Sequence, residues 1–356
     1  MAFILLLLTL VIVVQIQSRR HALTGIEYGS FSSKRLVAQE EEFDFVTLLT
    51  NRSSRFVPFL RIDEYFPQHV HVKSDHAPLD GVIRERTHSS SAFLMPKSQL
   101  ERRKKVSISK RGCYVFSGAN LVGGDFLGLS SKEEKYFYEY NQVVVYPKGV
   151  ESPELFQMLG GFLGDVSVRR FILEDPVLMA GAREYTGNEP FKQMSWKHTA
   201  RVNQLMVKKF DYTLEPKITV LVDSELEGKS DEDEERIEKT FSLASSVFHA
   251  LEEKKVSYDF ICNAFLRLNK RGDNYLPEGL GKEHFDTALD WLGRATYMVN
   301  ETLGHTLEKL RLRQEGNRST ILIVPERNAK KEKLIEGFRQ VTKGSILVLY
   351  GEDFLR

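Results

Sequence analysis

The sequence predicts three parts: a short N-terminal membrane helix, a β-sandwich-like domain and a C-terminal three-layer α/β domain. An apolar run without any charge occupies residues 2–16. Between residues 26 and 147, short strand-like runs separated by turn residues favour a β-sandwich. Beyond residue 150, strand-like and helix-like runs alternate, which indicates parallel strands covered by helices.

Composition narrows the class of protein. The 356 residues correspond to two or three domains of ordinary size, and the net charge of +1 gives no global attraction for nucleic acid. The local basic run Glu101–Lys105 contains no aromatic residue, so it predicts a solvated strand end and no stacking surface for bases. Cys113 and Cys262 form no CxxC pair, which excludes a disulfide framework and a cysteine-rich zinc site. We expect both cysteines to be small core residues.

The apolar run Ala2–Ile16 is followed by Gln17-Ser18 and then by Arg19-Arg20. A spanning helix needs about 20 apolar residues, so the run can cross a bilayer if its flanking polar residues lie at the interface. No positive charge precedes the run and no A-x-A-like cleavage site follows it, which favours an anchor over a signal peptide. We therefore expect residues 1–18 to form a single-pass anchor in the cell membrane. The positive-inside rule then places the bulk of the chain in the cytoplasm.

Residues 19–150 are predicted to form the β-sandwich-like domain. Phe43–Leu49 has the composition of a strand and ends at the turn residues Asn51–Ser54. A second strand is expected over Phe56–Ile62.

A hairpin is predicted later in the same domain. Val106–Ile108 and Cys113–Phe116 are strand-like and flank Lys110-Arg111-Gly112, a plausible turn. A short buried strand, Val143–Tyr146, ends at Pro147 because proline cannot donate to a β-ladder.

Residues 151–356 are predicted to form the α/β domain. Its expected strands are Lys217–Val222, Val256–Ile261, Thr320–Val324 and Ile346–Tyr350. The clearest helix begins at Ser230–Asp233, which supplies an N-cap and an acidic first turn. Its apolar residues recur at helical spacing and are Ile237, Phe241, Ala244, Phe248 and Leu251. Further helices are expected around Phe285–Leu292 and Leu334–Phe338, and a short one over Glu154–Leu163 is expected to break at Gly160-Gly161.

Sequence patterns of familiar catalytic sites are absent. Neither GxxxxGK[ST] nor GxGxxG occurs, and HExxH, HxE…CxxC and GxSxG are missing as well. We therefore expect no cofactor and no enzymatic activity, although a hydrolase whose distant residues converge in space stays open. His69 and His71, with Asp75 and His76 nearby, allow a two-histidine edge site, but a polar loop after Pro67 explains them better.

The most informative segment is Arg183–Val222. Thr186–Pro190 consists of turn residues, and we expect Trp196 to anchor the segment by burial. Leu205–Phe210 alternates as an edge strand does. Its candidate ion-pair donors and acceptors are Arg183, Lys197, His198, Arg201, Glu184 and Glu189. The pattern fits equally a packed crossover that locks the edge of a sheet and a binding surface.

This segment resembles domain-of-unknown-function family 58 (DUF58). The residues that match the family hallmark are Arg183, Glu184, Tyr185, Gly187, Trp196, Ala200 and Arg201. Asn188, Lys192 and Met194 stand where Asp, Arg and Ile are usual, so an ion pair between the usual Asp and Arg would be weakened here. Further matches upstream lie at Glu40–Asn51, Pro58–Pro67, Arg111-Gly112-x-Tyr114, Asp125-x-x-Gly128-Leu129 and Val145–Pro147. Family members usually begin with two membrane helices, whereas one is predicted here.

The resemblance implies that residues 151–356 form a von Willebrand factor A-like domain. It implies protein interaction or assembly without catalysis, with a MoxR-type AAA ATPase and other membrane-associated proteins as partners. The lipid bilayer is a further partner through the N-terminal helix, and nucleic acid is not. The residues expected to form the binding surface are Arg183, Glu184, Tyr185, Gly187, Asn188, Trp196, Lys197 and Arg201.

Domains of that type hold a cation at a metal-ion-dependent adhesion site, which reads Asp-x-Ser-x-Ser after the first strand and offers the oxygen ligands that suit Mg²⁺. Here the corresponding stretch is Asp223-Ser224-Glu225-Leu226-Glu227, with Glu at both hydroxyl positions. We expect a degenerate site at Asp223, Glu225 and Glu227 that binds no metal. A cation site built from these three carboxylates and a metal-dependent adhesion module facing outward are the alternatives.

Overall fold

The computed structural model describes residues 9, 11–13, 23–73, 86–124, 131–170, 179–187, 189–210, 217–226, 228, 230–268, 274–313 and 318–354. The chain divides into two compact units, Met1–Lys148 and Gly149–Arg356. The membrane helix predicted over residues 2–16 lies largely outside the described residues. Within the described ranges, no helix is both long enough and apolar enough to cross a membrane.

Two β-sheets make up the first unit, as the predicted β-rich domain requires. The strands are β1 (Ile26–Ser32), β2 (Leu36–Ala38), β3 (Phe43–Asn51), β4 (Val57–Phe66), β5 (Val70–Lys73), β6 (Arg86–Leu94), β7 (Gln99–Ile108), β8 (Gly112–Gly124) and β9 (Ser131–Tyr146). One sheet has the order β1-β3-β7-β5 and the other has the order β2-β9-β8-β4-β6. Neighbouring strands pair antiparallel, except that β2 runs parallel to β9.

Aromatic side chains from both sheets meet in one core. The ring centroid of Phe45 on β3 lies 5.2 Å from that of Phe66 on β4 and 4.9 Å from that of Phe116 on β8. Phe66 and Phe116 are 5.7 Å apart and nearly perpendicular. Edge-to-face contacts of this kind add about 0.5–1.5 kcal/mol per pair to the gain from burial. The two sheets therefore form a sandwich, with two apolar clusters that both contain residues of both sheets.

The hairpin predicted between Val106–Ile108 and Cys113–Phe116 is wrong. Strand β7 pairs with β3 and β5 in the first sheet, whereas β8 pairs with β4 and β9 in the second. Lys110-Arg111-Gly112 therefore crosses from one sheet to the other. Arg111 is buried at this crossing, and the Tyr114 hydroxyl donates to the Lys110 carbonyl oxygen at 2.7 Å. A local pattern of strand, turn and strand is the same for a hairpin and for a crossover, so the sequence could not separate them.

The second unit alternates strands and helices, as predicted. Its strands are β10 (Met179–Glu184), β11 (Met206–Phe210), β12 (Ile218–Val222), β13 (Tyr258–Cys262), β14 (Ala264–Leu266), β15 (Tyr275–Gly279), β16 (Ala295–Val299), β17 (Ser319–Val324) and β18 (Ile346–Tyr350). Its helices are α1 (Pro153–Arg170), α2 (Trp196–Val202), α3 (Asp231–Glu253), α4 (Lys282–Arg294), α5 (Leu303–Arg313) and α6 (Ala329–Val341).

Helix α1 continues through Gly160 and Gly161, so the predicted break there is wrong. Each glycine costs a helix interior about 1 kcal/mol relative to alanine. The helix compensates with an apolar stripe at helical spacing. The buried residues of the stripe are Leu155, Leu159, Phe162, Leu163 and Val166. Burial of this stripe outweighs the glycine penalty, which is a tertiary effect.

Five strands of the second unit form its main sheet, in the order β15-β13-β12-β17-β18. Strands β13, β12, β17 and β18 run parallel, and β15 is antiparallel to β13. Helices α5 and α6 pack on one face, where Leu307 and Phe338 join Leu221 in an apolar cluster. On the other face, the Phe260 ring lies 4.9 Å from Phe248 of α3 and 6.0 Å from Trp291 of α4. The unit is therefore a three-layer α/β structure.

Helix α3 begins as its sequence predicts. The Ser230 hydroxyl accepts from the Asp233 backbone N–H at 3.2 Å, and the Asp233 carboxylate accepts from the Ser230 N–H at 3.0 Å. This reciprocal capping box satisfies two amides that the first turn leaves without partners. All five residues of its predicted apolar face are buried. Cys113 and Cys262 are buried too, as expected for small core residues.

Candidate functional site

The segment that carries the motif is held together by a small antiparallel sheet of β10 and β11. Val207 on β11 is fully buried and forms an isolated β-bridge with Met194, which is 4% exposed. The Ser195 N–H donates to the Met206 carbonyl oxygen at 2.8 Å. Among the described residues, the hydrogen bonds of this segment connect its own parts. Met194 and Val207 therefore supply the apolar anchor of the segment.

Trp196 does not supply that anchor, so its predicted burial is wrong. It is the first residue of α2 and its side chain is 60% exposed. The opposite side of α2 faces β11, because the Thr199 hydroxyl accepts from the Met206 N–H at 3.0 Å. At 100° per residue, Trp196, Lys197 and Arg201 share the outer arc of this helix, and all three are exposed. The motif residues of α2 thus point to solvent.

The turn before α2 is organised around Glu189. Its carboxylate lies 2.5 Å from the Arg183 guanidinium and accepts from the Thr186 hydroxyl at 2.6 Å and from the Thr186 N–H at 3.1 Å. The Thr186 hydroxyl and the Arg183 guanidinium together lower the pKa of Glu189 to about 2. Gly187 adopts a φ of 99°, a left-handed conformation that favours glycine. Glu189 therefore joins Arg183 and Thr186 across this turn. Asn188 lies outside the described residues.

Most cations of residues 181–210 have no ion-pair partner within the described chain. They are Lys192, Lys197, Arg201, Lys208 and Lys209. Glu184 is the exposed carboxylate of the same stretch. Elsewhere the exposed cations commonly meet a carboxylate, as Arg327 meets Asp353 at 2.6 Å. The motif segment is therefore an unneutralised basic patch.

Large apolar side chains lie among these cations. Phe191 is 76% exposed and precedes Lys192, and Trp196 precedes Lys197. We call Phe191, Lys192, Trp196, Lys197 and Arg201 the motif surface. Of the other residues predicted to bind, Arg183 and Glu184 are exposed and Tyr185 is half-buried, with its hydroxyl donating to the Gly187 carbonyl oxygen at 3.2 Å.

A second group of polar residues lies at the carboxyl ends of the main sheet. Strand β12 leads along the chain to β13 on one side, while β17 pairs with its other side, so the strand order reverses at β12. Ligands of open α/β sheets gather in the crevice at such a reversal. We call the polar side chains in this position the strand-end cluster. Its members are Asp223, Ser224, Glu225, Asn263 and Lys331.

Asp223 is the centre of the strand-end cluster and is fully buried. Its Oδ2 lies 2.7 Å from Nζ of Lys331. Its Oδ1 accepts from Nδ2 of Asn263 at 2.5 Å and from the Glu225 N–H at 3.0 Å. Burial raises the pKa of the Asp223 carboxyl, and the Lys331 ammonium and the two N–H donors oppose that rise. Both carboxylate oxygens therefore have donors inside the protein.

The other members of the cluster also have partners. Oδ1 of Asn263 accepts from the Ser224 N–H at 2.8 Å and from the Ser224 hydroxyl at 3.1 Å. The Glu225 carboxylate accepts from the Leu303 N–H at 2.7 Å, at the start of α5. The Lys331 ammonium also donates to the Glu225 carbonyl oxygen. The loop after β12 is thereby tied to α5 and α6.

A divalent cation does not fit the side chains of this cluster. Asp223 already receives donors on both oxygens, and the Glu225 carboxylate caps α5. Glu227, the third carboxylate of the predicted degenerate site, lies outside the described residues. Across the described ranges, no group of three or more His, Cys, Asp or Glu residues could hold a metal. His71, which belonged to the two-histidine edge site considered from the sequence, lies near Ser109, with 3.3 Å between its Nε2 and the serine hydroxyl oxygen.

A polar cavity of about 210 Å³ opens beside the cluster at the end of β13. Its lining includes Asn263, Tyr275, Glu301, Lys309 and Arg313. The Arg313 guanidinium stacks 4.3 Å over the Tyr275 ring, and Lys309 forms an ion pair with Glu301. Cys262 also lines this cavity. The described residues that line the cavity include no histidine.

A serine and a histidine do meet within the motif segment. Ser195 Oγ lies 2.9 Å from Nδ1 of His198. Ser195 is only 4% exposed and precedes the first turn of α2, where its carbonyl oxygen accepts from the His198 N–H at 3.0 Å. No described residue contacts the other ring nitrogen of His198 as an orienting acid would. The pair therefore has the geometry of a helix start and lacks the third member of a catalytic triad.

The strand-end cluster was only half predicted. Asp223 and Glu225 were expected after the first strand of the α/β domain, where the resemblance implies a degenerate adhesion site, and polar residues that follow the strands of a parallel sheet converge at one edge. Asn263 follows β13 in the same way and could have been found by the same reasoning. Lys331 had no such signal, because a lysine inside a charged helix normally faces solvent.

Comparison with known proteins supports the family resemblance. Residues 181–325 match the family described as "Protein of unknown function DUF58". No curated protein matches the chain.

Several solved structures share limited similarity with the chain. The CARDB domain of the PF1109 protein from Pyrococcus furiosus is 11% identical, with 34% of this chain and 90% of that chain covered and a TM-score of 0.23. PapD-like domain 7 of human CEP192 is 13% identical over 34% and 87%, with a TM-score of 0.23. A non-cellulosomal cohesin from Archaeoglobus fulgidus is 10% identical over 33% and 91%, again with a TM-score of 0.23. TM-scores of 0.23 do not define a shared fold.

Proposed function

We propose that this chain is a membrane-anchored protein-interaction or assembly factor that works with a MoxR-type AAA ATPase and is not an enzyme. In this proposal the second unit is a von Willebrand factor A-like domain, and the motif surface is the docking site. One observation carries the proposal: the residues of the DUF58 motif on α2 face solvent, although their resemblance to the family is the strongest feature of the sequence.

Exposure of these side chains argues against a purely structural role. Trp196 and Arg201 contribute little to the packing of the segment, which Met194 and Val207 anchor. Tryptophan and arginine are the residue types most enriched among those that dominate binding energy at protein interfaces. A partner that covers the Trp196 indole would remove a large apolar surface from water. The outer arc of α2 is therefore suited to protein contact.

Charge indicates what the partner surface is like. The cations around Trp196 have no internal ion-pair partner in the described chain, so a partner with acidic side chains around an apolar pocket would complement them. Such complementarity mainly raises the rate of association, and it weakens as salt is added. An anionic bilayer is a poorer fit. A membrane-surface helix presents separate apolar and basic faces, whereas α2 has seven residues and mixes both on one arc.

The membrane anchor rests on the apolar run Ala2–Ile16 and the arginines that follow it. The von Willebrand A-like assignment is supported by the parallel main sheet and by the position of Asp223, which directly follows β12. The membrane anchor and the von Willebrand A-like assignment are independent of the docking site and of each other, so each can be wrong while the rest of the proposal holds.

Co-purification from native membranes tests the docking site. The double variant W196A/K197E should retain the unfolding temperature of the wild type but recover the ATPase at least tenfold less efficiently. A tenfold loss of affinity corresponds to about 1.4 kcal/mol of binding free energy. The double variant F93A/K97E is a matched control, because it also removes one exposed aromatic ring and reverses one exposed charge. Equal recovery by the motif variant and the wild type would contradict the proposal.

A hydrolase is the second candidate, favoured by the Ser195–His198 contact. Burial of Ser195 opposes it, because a nucleophile must reach its substrate. Hydrolysis of a generic ester that is lost in Ser195→Ala but kept in Ser152→Ala would favour the enzyme. We expect no such activity above background in the wild type.

A further inference from the structure

We propose that the Lys331 ammonium takes the place of a divalent cation in the strand-end cluster, so that the carboxyl edge of the α/β unit assembles without a metal. The position is the crevice beside β12 where the strand order reverses. That crevice is where open α/β sheets place their ligands. Here a side chain of α6 reaches into it.

Burial makes a cation necessary at this place. Asp223 is fully buried, and an isolated buried carboxylate is strongly unfavourable without a partner charge. Lys331 is 7% exposed and its ammonium contacts the Asp223 carboxylate directly. The neighbouring Lys330 and Lys333 of the same helix are exposed. Of these three lysines of α6, Lys331 is thus the buried one, and its charge pairs with an interior carboxylate.

The contacts of the ammonium are those of a hard cation. It meets Oδ2 of Asp223 at 2.7 Å and also the carbonyl oxygen of Glu225. Carboxylate and carbonyl oxygens are the ligands that Mg²⁺ and Ca²⁺ take in proteins. Removing the lysine side chain would leave these oxygens around a small space that water and a metal ion could enter. Loss of Lys331 is therefore expected to convert the cluster into a cation site.

The substitution also has a mechanical consequence. Lys331 belongs to α6 and donates to the Glu225 carbonyl oxygen in the loop after β12. The Glu225 carboxylate of the same loop accepts from the Leu303 N–H at the start of α5. One internal charge therefore joins the loop after β12 to both helices on one face of the sheet. A metal at this position would make the assembly of this edge depend on the concentration of free cation, whereas a lysine makes it permanent.

Thermal unfolding in the presence of chelator, millimolar Mg²⁺ or millimolar Mn²⁺ tests the proposal. Wild-type protein and the control Lys330→Ala should unfold at the same temperature in all three conditions. Lys331→Ala should unfold at a lower temperature in chelator and recover by several degrees in Mn²⁺ or Mg²⁺, because a ligand that binds only the folded state stabilises it. A folded Lys331→Ala that ignores both metals would overturn the proposal.

A second measurement covers the case in which Lys331→Ala does not fold. Titration calorimetry of the wild-type protein with Mg²⁺ and with Ca²⁺ should give no saturable heat, since the cation position is already filled. Saturable binding at one ion per chain that is lost in Asp223→Asn would overturn the inference and favour an adhesion module. Neither result depends on recovery of the ATPase, so the inference and the proposed docking site can fail separately.

Discussion

Nζ of Lys331 lies 2.7 Å from Oδ2 of Asp223, although the two residues are 108 positions apart in the chain. Both side chains are nearly or fully buried. Removing one partner of such a pair leaves an uncompensated charge, whereas removing both charges while keeping the volume is often almost neutral.

We predict that Asp223→Asn and Lys331→Met each lower the free energy of unfolding of the α/β unit by about 3–5 kcal/mol. The double variant D223N/K331M should lose much less than the sum of the two. Urea denaturation followed by the fluorescence of Trp291, which is 3% exposed, measures this in a W196F background. Strict additivity of the two losses would show that the residues are not coupled.

The exposure of Trp196 gives a prediction about stability. Trp196→Ala should change the free energy of unfolding by less than about 0.5 kcal/mol, as exposed substitutions usually do. Phe260→Ala should cost about 3–5 kcal/mol, because its fully buried ring packs against Phe248 and Trp291. Urea denaturation followed by circular dichroism compares the two variants. A large loss in Trp196→Ala would mean that the indole is buried after all.

A buried charge network links the two sheets of the first unit and makes its stability depend on pH. The Lys104 ammonium on β7 contacts the Glu64 carboxylate on β4 and lies 3.1 Å from Nδ1 of His88 on β6. Burial first, and then the Lys104 charge, lower the pKa of His88 below 6.5, while the Glu64 charge opposes them and Arg102 adds to them. The neutral imidazole can accept a hydrogen bond from the ammonium, which the imidazolium cannot.

The sign of the effect follows from the lowered pKa. Above about pH 6.5 His88 is neutral in both states, so its contribution is complete. As the pH falls below 6.5 the unfolded chain binds the proton first, and stability declines until the folded pKa is passed. We predict that His88→Gln makes the unfolding free energy of the first unit less dependent on pH between 7.5 and 5. His71→Gln is the exposed control, and an unchanged slope in His88→Gln would refute the prediction.

Glu189 is predicted to stay ionised in acid. Its pKa of about 2 depends on the Thr186 hydroxyl and the Arg183 guanidinium, so Thr186→Val and Arg183→Ala should each raise the pKa toward 4.5. Because the folded pKa is lowered, its stabilising effect is complete above about 4.5 and is lost as the pH falls through 2. Carbon-13 NMR titration of the Glu189 carboxyl measures each value. A wild-type pKa near 4.5 would mean that the turn is not formed in solution.

Much of the fold was readable from local patterns. Apolar runs placed strands such as Ile346–Tyr350, whose observed bounds agree with the prediction. The capping residues Ser230 and Asp233, followed by apolar residues at helical spacing, located α3. The apolar face of α5 was not predicted, although Leu303, Leu307 and Leu310 carry the same spacing and are buried. These features depend on neighbours in sequence, which is why sequence alone could reveal them.

The sequence by itself determined the change from a β-rich part to alternating strands and helices near residue 150, the turn around Gly187 and the family resemblance of the segment from Arg183 to Arg201. Only the tertiary structure decided that β7 and β8 belong to different sheets, that Trp196 faces solvent, and that Lys331 forms an ion pair with the buried Asp223. The physical reason is the same in each case. A local pattern records which side of an element is apolar, but the distant segment that covers it is chosen by packing and charge compensation across the whole unit.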